Sequence, residues 1–170
     1  SDTTMLQSLL KATLLFADLD DASLDRVTAT ADERTLRRGD VLFTEGEESN
    51  TLYVVTEGRV AIANKSIDGR ESVVALMEPG DLFGEMPLFD GLGRSAEARA
   101  LEPSTVIEIS YAPVTALYEE NPTELWAVVR LLASRLRSMD ESLADSVFLD
   151  VTGRTAKRLL ELADDSDEFT

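Results

Sequence analysis

No cysteine and no histidine occur among the 170 residues of this chain. Without cysteine there is no disulfide framework, no thiol chemistry and no thiolate metal site. Without histidine the commonest general base and transition-metal ligand is missing too, so most catalytic templates fail at the first count. Cationic side chains are scarce: 16 Lys and Arg stand against 33 Asp and Glu, a formal net charge of -17. Attachment to a nucleic-acid backbone needs a positive patch that displaces condensed counterions, so the chain is not expected to bind nucleic acid by itself. Long apolar runs are absent as well, with nothing near the roughly 20 residues that span a bilayer. Residues 1–19 lack the basic leader, apolar run and small-residue cleavage site of an export signal. A soluble cytoplasmic protein with no membrane partner is expected.

What is present suffices for a packed domain, since 44% of the residues are hydrophobic. From Met5 to about Ala31 the apolar spacing is helical, through Met5, Leu6, Leu9, Leu10 and Leu14 and then Leu24 and Val27, with Asp20 or Asp21 as the cap of a second helix. From Thr35 to Ile109 the texture changes to short β-rich runs broken by glycine: Val41 to Phe43, Thr51 to Val55, Val60 to Ala63 and Ser72 to Met77. Asp68-Gly69 between two such runs is a hairpin signal, because both residues tolerate the positive φ of a tight turn. No helix-length crossover separates the runs, which predicts an antiparallel barrel or jelly roll rather than a parallel sheet.

Asn121-Pro122-Thr123-Glu124 combines a capping residue, a proline at the first helical position and an acid three residues after the cap. A helix is expected from there to about Ser146. Along it Leu125, Val129, Leu132, Leu136, Met139 and Leu143 recur at alternating spacings of four and three, a seam that suits a twin helix or the chain's own barrel. Phe148 to Arg154 breaks the pattern, and Thr155 to Ala163 begins another helix.

One stretch carries recognisable chemistry. Phe83-Gly84-Glu85-Met86-Pro87-Leu88-Phe89-Asp90-Gly91-Leu92-Gly93-Arg94-Ser95-Ala96 sets an acid and an arginine nine residues apart around a short apolar segment bracketed by glycines. Glycines allow close backbone approach, Arg94 offers a forked cation for phosphate, and Glu85 can accept from a sugar hydroxyl. These are the parts of a nucleotide monophosphate site. They are equally the parts of a surface loop with an Arg–Glu ion pair and turn glycines. There is no GK[ST] phosphate loop here.

With that cassette, Arg38-Gly39, Phe43-x-Glu45-Gly46-Glu47, Leu52-Tyr53-Val54-Val55-x-x-Gly58-x-Val60, Asn121-Pro122 and Phe148-x-Asp150-Val151-x-Gly153-Arg154 line up over nearly the whole chain. In this the sequence resembles the cyclic-nucleotide-binding domain of the catabolite-activator class of bacterial transcription regulators, in particular its actinobacterial cyclic-AMP receptor proteins. The resemblance implies a mainly β fold with flanking helices, a double-stranded β-helix or jelly roll followed by a long dimerisation helix. Three segments are expected: 1–120, the β-roll with its N-terminal helices; 121–149, the dimerisation helix; and 150–170, a hinge and the start of a linker to a DNA-binding domain that this chain lacks.

The resemblance also implies roles. Glu85 matches the acid that binds the ribose 2′-hydroxyl, with Gly84 lending its backbone. Arg94 matches the arginine that neutralises the cyclic phosphate, with Ser95 as a second phosphate ligand and Ala96 adjoining. Leu76 and Met86 are expected on the apolar side against the purine. No cofactor is implied; the ligand expected is cyclic AMP, and the protein partner a second copy paired along the seam from Leu125 to Leu143. There is one departure: the family's cyclic-AMP responders present a threonine to the adenine amino group, followed by a small polar residue, where this chain has Met139 and Asp140. Methionine cannot replace that hydroxyl, whereas Asp140 either accepts from an exocyclic amine or is solvated. The alternatives are another nucleotide, or a dimerising structural or interaction domain whose pocket is vestigial or repurposed and binds another nucleotide or none. A cupin-like metal enzyme would want several histidines, and there are none.

Overall fold

The computed structural model describes residues 2–141, with side chains from residue 3 onward. The chain divides into two compact units, Ser1–Val128 and Val129–Thr170.

The first unit opens with helices α1 (Asp2–Lys11) and α2 (Asp21–Thr28). Asp20 is the cap of α2: its Oδ1 accepts from the Ser23 amide at 2.8 Å, and that bond holds the carboxyl below its ordinary range. Leu10, Leu24 and Val27 are fully buried, whereas Met5, at 67% exposure, lies outside the core.

Eight strands follow: β1 (Asp32–Leu36), β2 (Val41–Phe43), β3 (Thr51–Glu57), β4 (Val60–Lys65), β5 (Glu71–Met77), β6 (Leu82–Phe83), β7 (Glu97–Ala100) and β8 (Ser104–Ser110). They form two four-stranded antiparallel sheets, in the orders β1-β8-β3-β6 and β2-β7-β4-β5. Both sheets feed one core: Leu36, Tyr53, Phe83 and Val106 come from the first, Phe43, Val60 and Ala98 from the second. This is the antiparallel jelly-roll arrangement expected from the glycine-punctuated runs. β3 lies between β8 and β6, and its Leu52, Tyr53, Val54 and Val55 are all buried instead of alternating with exposed residues, so both faces of the sheet are covered along this strand. β5 is an edge strand, and its Val73 and Val74 are more than half exposed. The predicted hairpin joins β4 and β5; Gly69 has φ 83° and its amide donates to the Ser66 carbonyl at 2.9 Å.

Two further helices belong to this unit, α3 (Met86–Asp90) and α4 (Tyr111–Glu120). α3 is a short turn that the sequence pattern did not announce. It starts with Pro87 in its first turn and stops at Gly91, which takes the left-handed conformation with φ 68°. The expected helix start at Asn121 needs correction. Pro122–Glu124 forms a 3-10 turn, the Asn121 side chain makes no capping bond, and α-helix begins at residue 125. Asn121 Nδ2 instead reaches Glu124 Oε1 at 3.4 Å. Residues 125–128 close the first unit in helical conformation.

In the second unit, residues 129–141 are helical throughout. Leu143 of the expected seam, and the expected hinge from Phe148 to Gly153, lie outside the described residues. Among the described residues no helix is long and apolar enough to cross a membrane.

Candidate functional site

The cassette leaves the sheet at Phe83, turns at Gly84, runs through Glu85 and α3, and re-enters the sheet after Arg94 at β7. Gly84 has φ 80°, and a Cβ placed there would come within 2.9 Å of Arg94 Nη1 and 3.2 Å of Tyr53 Cδ2. Only glycine lets the backbone bend this way beside the arginine. The far end is clamped by the Glu45-Gly46-Glu47 loop: the Arg94 amide donates to the Glu47 carbonyl and the Gly46 amide to the Arg94 carbonyl, each at 2.8 Å. The Glu47 carboxylate in turn accepts from the Thr44 amide at 2.9 Å.

Arg94 is only 5% exposed and Glu85 only 1%. Both side chains are therefore buried within the cassette and not solvated on a surface loop. A buried guanidinium must be compensated. Nη1 donates to the Gly84 carbonyl at 2.8 Å and to Tyr111 Oη at 3.4 Å, and Nη2 donates to the Thr51 carbonyl at 2.8 Å and Thr51 Oγ1 at 3.3 Å. The cation also sits 4.0 Å from the ring centroid of Phe43 and 5.5 Å from that of Tyr53. Those rings belong to a cluster with Phe83, Tyr53 and Phe83 lying stacked at 5.4 Å. Arg94 Nε is buried and has no hydrogen-bond partner among the described residues.

The Tyr111 hydroxyl joins the group, bonded to the Gly84 carbonyl, to Ser49 Oγ at 2.9 Å and to Arg94. Burial pushes its phenol above the ordinary tyrosine value; the Ser49 hydrogen bond and the Arg94 charge pull the other way, and Glu85 adds to the rise. Both charges of the cassette thus act on one phenol. A buried guanidinium whose Nε keeps a donor to spare can take an anionic acceptor.

The other expected residues are placed as follows. Ser95 is exposed beside Arg94, and Ala96 is buried. Leu76, on β5, and Met86, at the start of α3, are 48% and 43% exposed, so both present apolar surface. Met139 and Asp140 belong to the helical residues of the second unit, and both are exposed. Tyr111, Thr51, Ser49 and Phe43 were not singled out from the sequence as site residues. Their contribution arises from β2, the loop before β3, β3 itself and the start of α4, all distant along the chain from Arg94. Two open clefts, of about 480 Å³ beside Leu6 and Leu9 and about 490 Å³ between Phe89 and Tyr118, lie apart from Glu85 and Arg94.

Comparison with known proteins gives consistent results. The family model described as cyclic nucleotide-binding domain matches residues 33–121. The CRP-like cAMP-activated global transcriptional regulator of Mycobacterium tuberculosis is 31% identical over 158 residues, covering 93% of this chain and 70% of that protein. The cAMP-activated global transcriptional regulator Vfr of Pseudomonas aeruginosa is 35% identical over 151 residues, 86% of this chain and 71% of that one. Among solved structures, the N-terminal domain of a transcriptional regulator from Streptomyces coelicolor A3(2) superimposes with a TM-score of 0.61 at 38% identity, covering 79% of this chain and 94% of that chain.

Proposed function

The chain belongs to the cyclic nucleotide-binding domain family, and from that premise we propose that it senses cyclic AMP as the regulatory part of a homodimeric, cytoplasmic bacterial transcription regulator. It is a binding module and not an enzyme; the relatives named above are regulators.

The observation that carries the ligand assignment is the buried Arg94 with its unmatched Nε, in a cassette that also buries Glu85. A buried donor left unmatched is costly, and an anionic ligand supplies the missing acceptor. Glu85 takes the ribose 2′-hydroxyl, Arg94 the cyclic phosphate, and Ser95, exposed at the edge of the cassette, adds a hydroxyl to the phosphate, with Gly84 and Ala96 supplying backbone. Leu76 and Met86 offer the purine an apolar surface. The dimer is supported by the exposure of Leu125, Val129, Leu132, Leu136 and Met139, each at least 40% exposed. Burying such a stripe against a twin recovers its hydrophobic free energy. DNA is then contacted through other parts of the parent protein.

Calorimetric titration with cyclic AMP tests this. Saturable binding by the wild type that Arg94→Ala weakens about a hundred-fold supports it, since the charge-assisted hydrogen bond from Nε and the cation facing the phosphate are both lost. Equal binding by both proteins overturns the assignment. Met139, lacking the hydroxyl expected there, favours a second reading in which a different nucleotide is the ligand, and the same titration with cyclic GMP decides between them.

A further inference from the structure

The Tyr111 hydroxyl lies at the junction of the bonds around Arg94 and Gly84. Its three neighbours are the Gly84 carbonyl, Ser49 Oγ at 2.9 Å and Arg94 Nη1 at 3.4 Å. A neutral phenol donates once and accepts twice. The Gly84 carbonyl can only accept and the guanidinium can only donate, so the phenol proton goes to Gly84, and Ser49 directs its one proton to Tyr111 at 2.9 Å ahead of the more distant Thr51 carbonyl at 3.4 Å. Every site on the hydroxyl is then used. The Gly84 carbonyl is filled as well, by Tyr111 and by Arg94 Nη1 at 2.8 Å. Together with the two Thr51 acceptors, this accounts for all four Nη protons of Arg94 and leaves Nε as the remaining donor.

We infer that Tyr111 is a positioning residue for the ligand-binding guanidinium: its hydroxyl locks Arg94 Nη1 and the Gly84 carbonyl into one arrangement, so that Nε is presented to the anion. The inference rests on the cyclic-nucleotide reading of the site. Tyr111 itself does not touch the ligand. It acts through Arg94: its loss removes one of the two acceptors of Nη1 and one of the two donors on the Gly84 carbonyl, so that the Nη1 end is held by the Gly84 carbonyl alone while Nη2 stays on Thr51.

The test compares wild type, Tyr111→Phe and Arg94→Ala in titrations with cyclic AMP and with its Rp and Sp phosphorothioates, in which sulfur, a poor acceptor, replaces one or the other exocyclic oxygen. A well-oriented arginine distinguishes the two diastereomers. Tyr111→Phe is expected to weaken cyclic AMP about ten-fold and to bring the Rp-to-Sp affinity ratio close to one, with an unchanged cooperative melt. A uniform loss that preserves the ratio marks a merely structural role and overturns the inference, as does unchanged binding. If Tyr111→Phe does not fold, 3-fluorotyrosine placed at position 111 alone makes the oxygen a weaker acceptor at the same size, and a preserved ratio then has the same meaning. If the wild type binds no cyclic nucleotide, the ligand reading fails, and the link is judged on the ligand-free protein. An Arg94 Nε–H resonance held apart from the solvent-averaged arginine signals in the wild type, and collapsing into them in Tyr111→Phe, supports it. The same resonance in both overturns it.

Discussion

Arg94 holds a full charge where water scarcely reaches, and its surroundings show how that is tolerated: two carbonyls, two hydroxyls and an aromatic face share the cation. Two tyrosines make the same principle testable by pH. Burial is the largest cause raising the phenols of both Tyr111 and Tyr118 above the ordinary value of 10.0; Ser49 and Arg94 oppose it at Tyr111, and the charge of Glu124 adds to it at Tyr118. A group with a raised folded value contributes stability that is fully present below its unfolded value and is lost as pH climbs toward the folded one. The fold should therefore be unaffected by these groups up to about pH 9 and lose stability above about pH 10. Their phenolate absorbance should appear together with the loss of the circular dichroism signal. Ionisation of both in an intact fold would contradict the burial described here. At this scale Glu85 and Arg94 were legible in the sequence, because the glycines bracketing them mark a tight backbone path. Tyr111, Ser49 and Thr51 were not, since nothing local in their sequence distinguishes a hydroxyl aimed at Arg94 from one facing solvent.

Between β3 and β4 the chain turns at Gly58, with φ 81°, and an added Cβ would lie 2.5 Å from the Pro103 carbonyl oxygen and closer still to Ser104 Oγ. Gly69, with φ 83° in the β4–β5 hairpin, has open space around its Cβ position. Both substitutions carry the left-handed penalty, but only one also meets backbone. Gly58→Ala should cost roughly 3 kcal/mol and Gly69→Ala roughly 1 kcal/mol, or about 10 °C against about 3 °C in melting temperature. Equal shifts would mean that the Ser104 contact gives way without cost. The strands and this hairpin were readable because β-rich runs and turn residues alternate along the chain. α3 escaped because five residues containing Pro87 show no helical period. α4 follows β8 with no spacer, and Ser110 caps it without a side-chain bond, so no local boundary marks its start. The Asn121 cap went wrong for a related reason: the pattern of cap, proline and acid was sound, but a 3-10 turn satisfied the first amides instead.

The net charge of -17 acts on the molecule as a whole. The ion pairs described are mostly between exposed side chains, as in Arg26 with Glu120 at 2.6 Å, and pairs of that kind contribute little. Repulsion among the excess carboxylates therefore sets the sign of the salt effect. Raising sodium chloride from about 0.02 M to about 0.5 M shortens the screening length several-fold and should raise the melting temperature by several degrees; a flat or falling curve would show that attractive pairs dominate. On the proposed reading the same field disfavours an incoming cyclic phosphate, which would place the weight of ligand capture on Arg94. The acidity seen in the sequence thus characterises a sensing domain in which, among the described residues, Arg94 is the buried cation, at the proposed site. The most direct measurement is a calorimetric titration of the wild type, Arg94→Ala and Glu85→Gln with cyclic AMP and with ring-opened 5′-AMP. Binding of the cyclic form by the wild type, nearly lost in Arg94→Ala, weakened about ten-fold in Glu85→Gln and poorer for 5′-AMP, is the predicted result. Affinities that do not distinguish the three proteins would contradict the account.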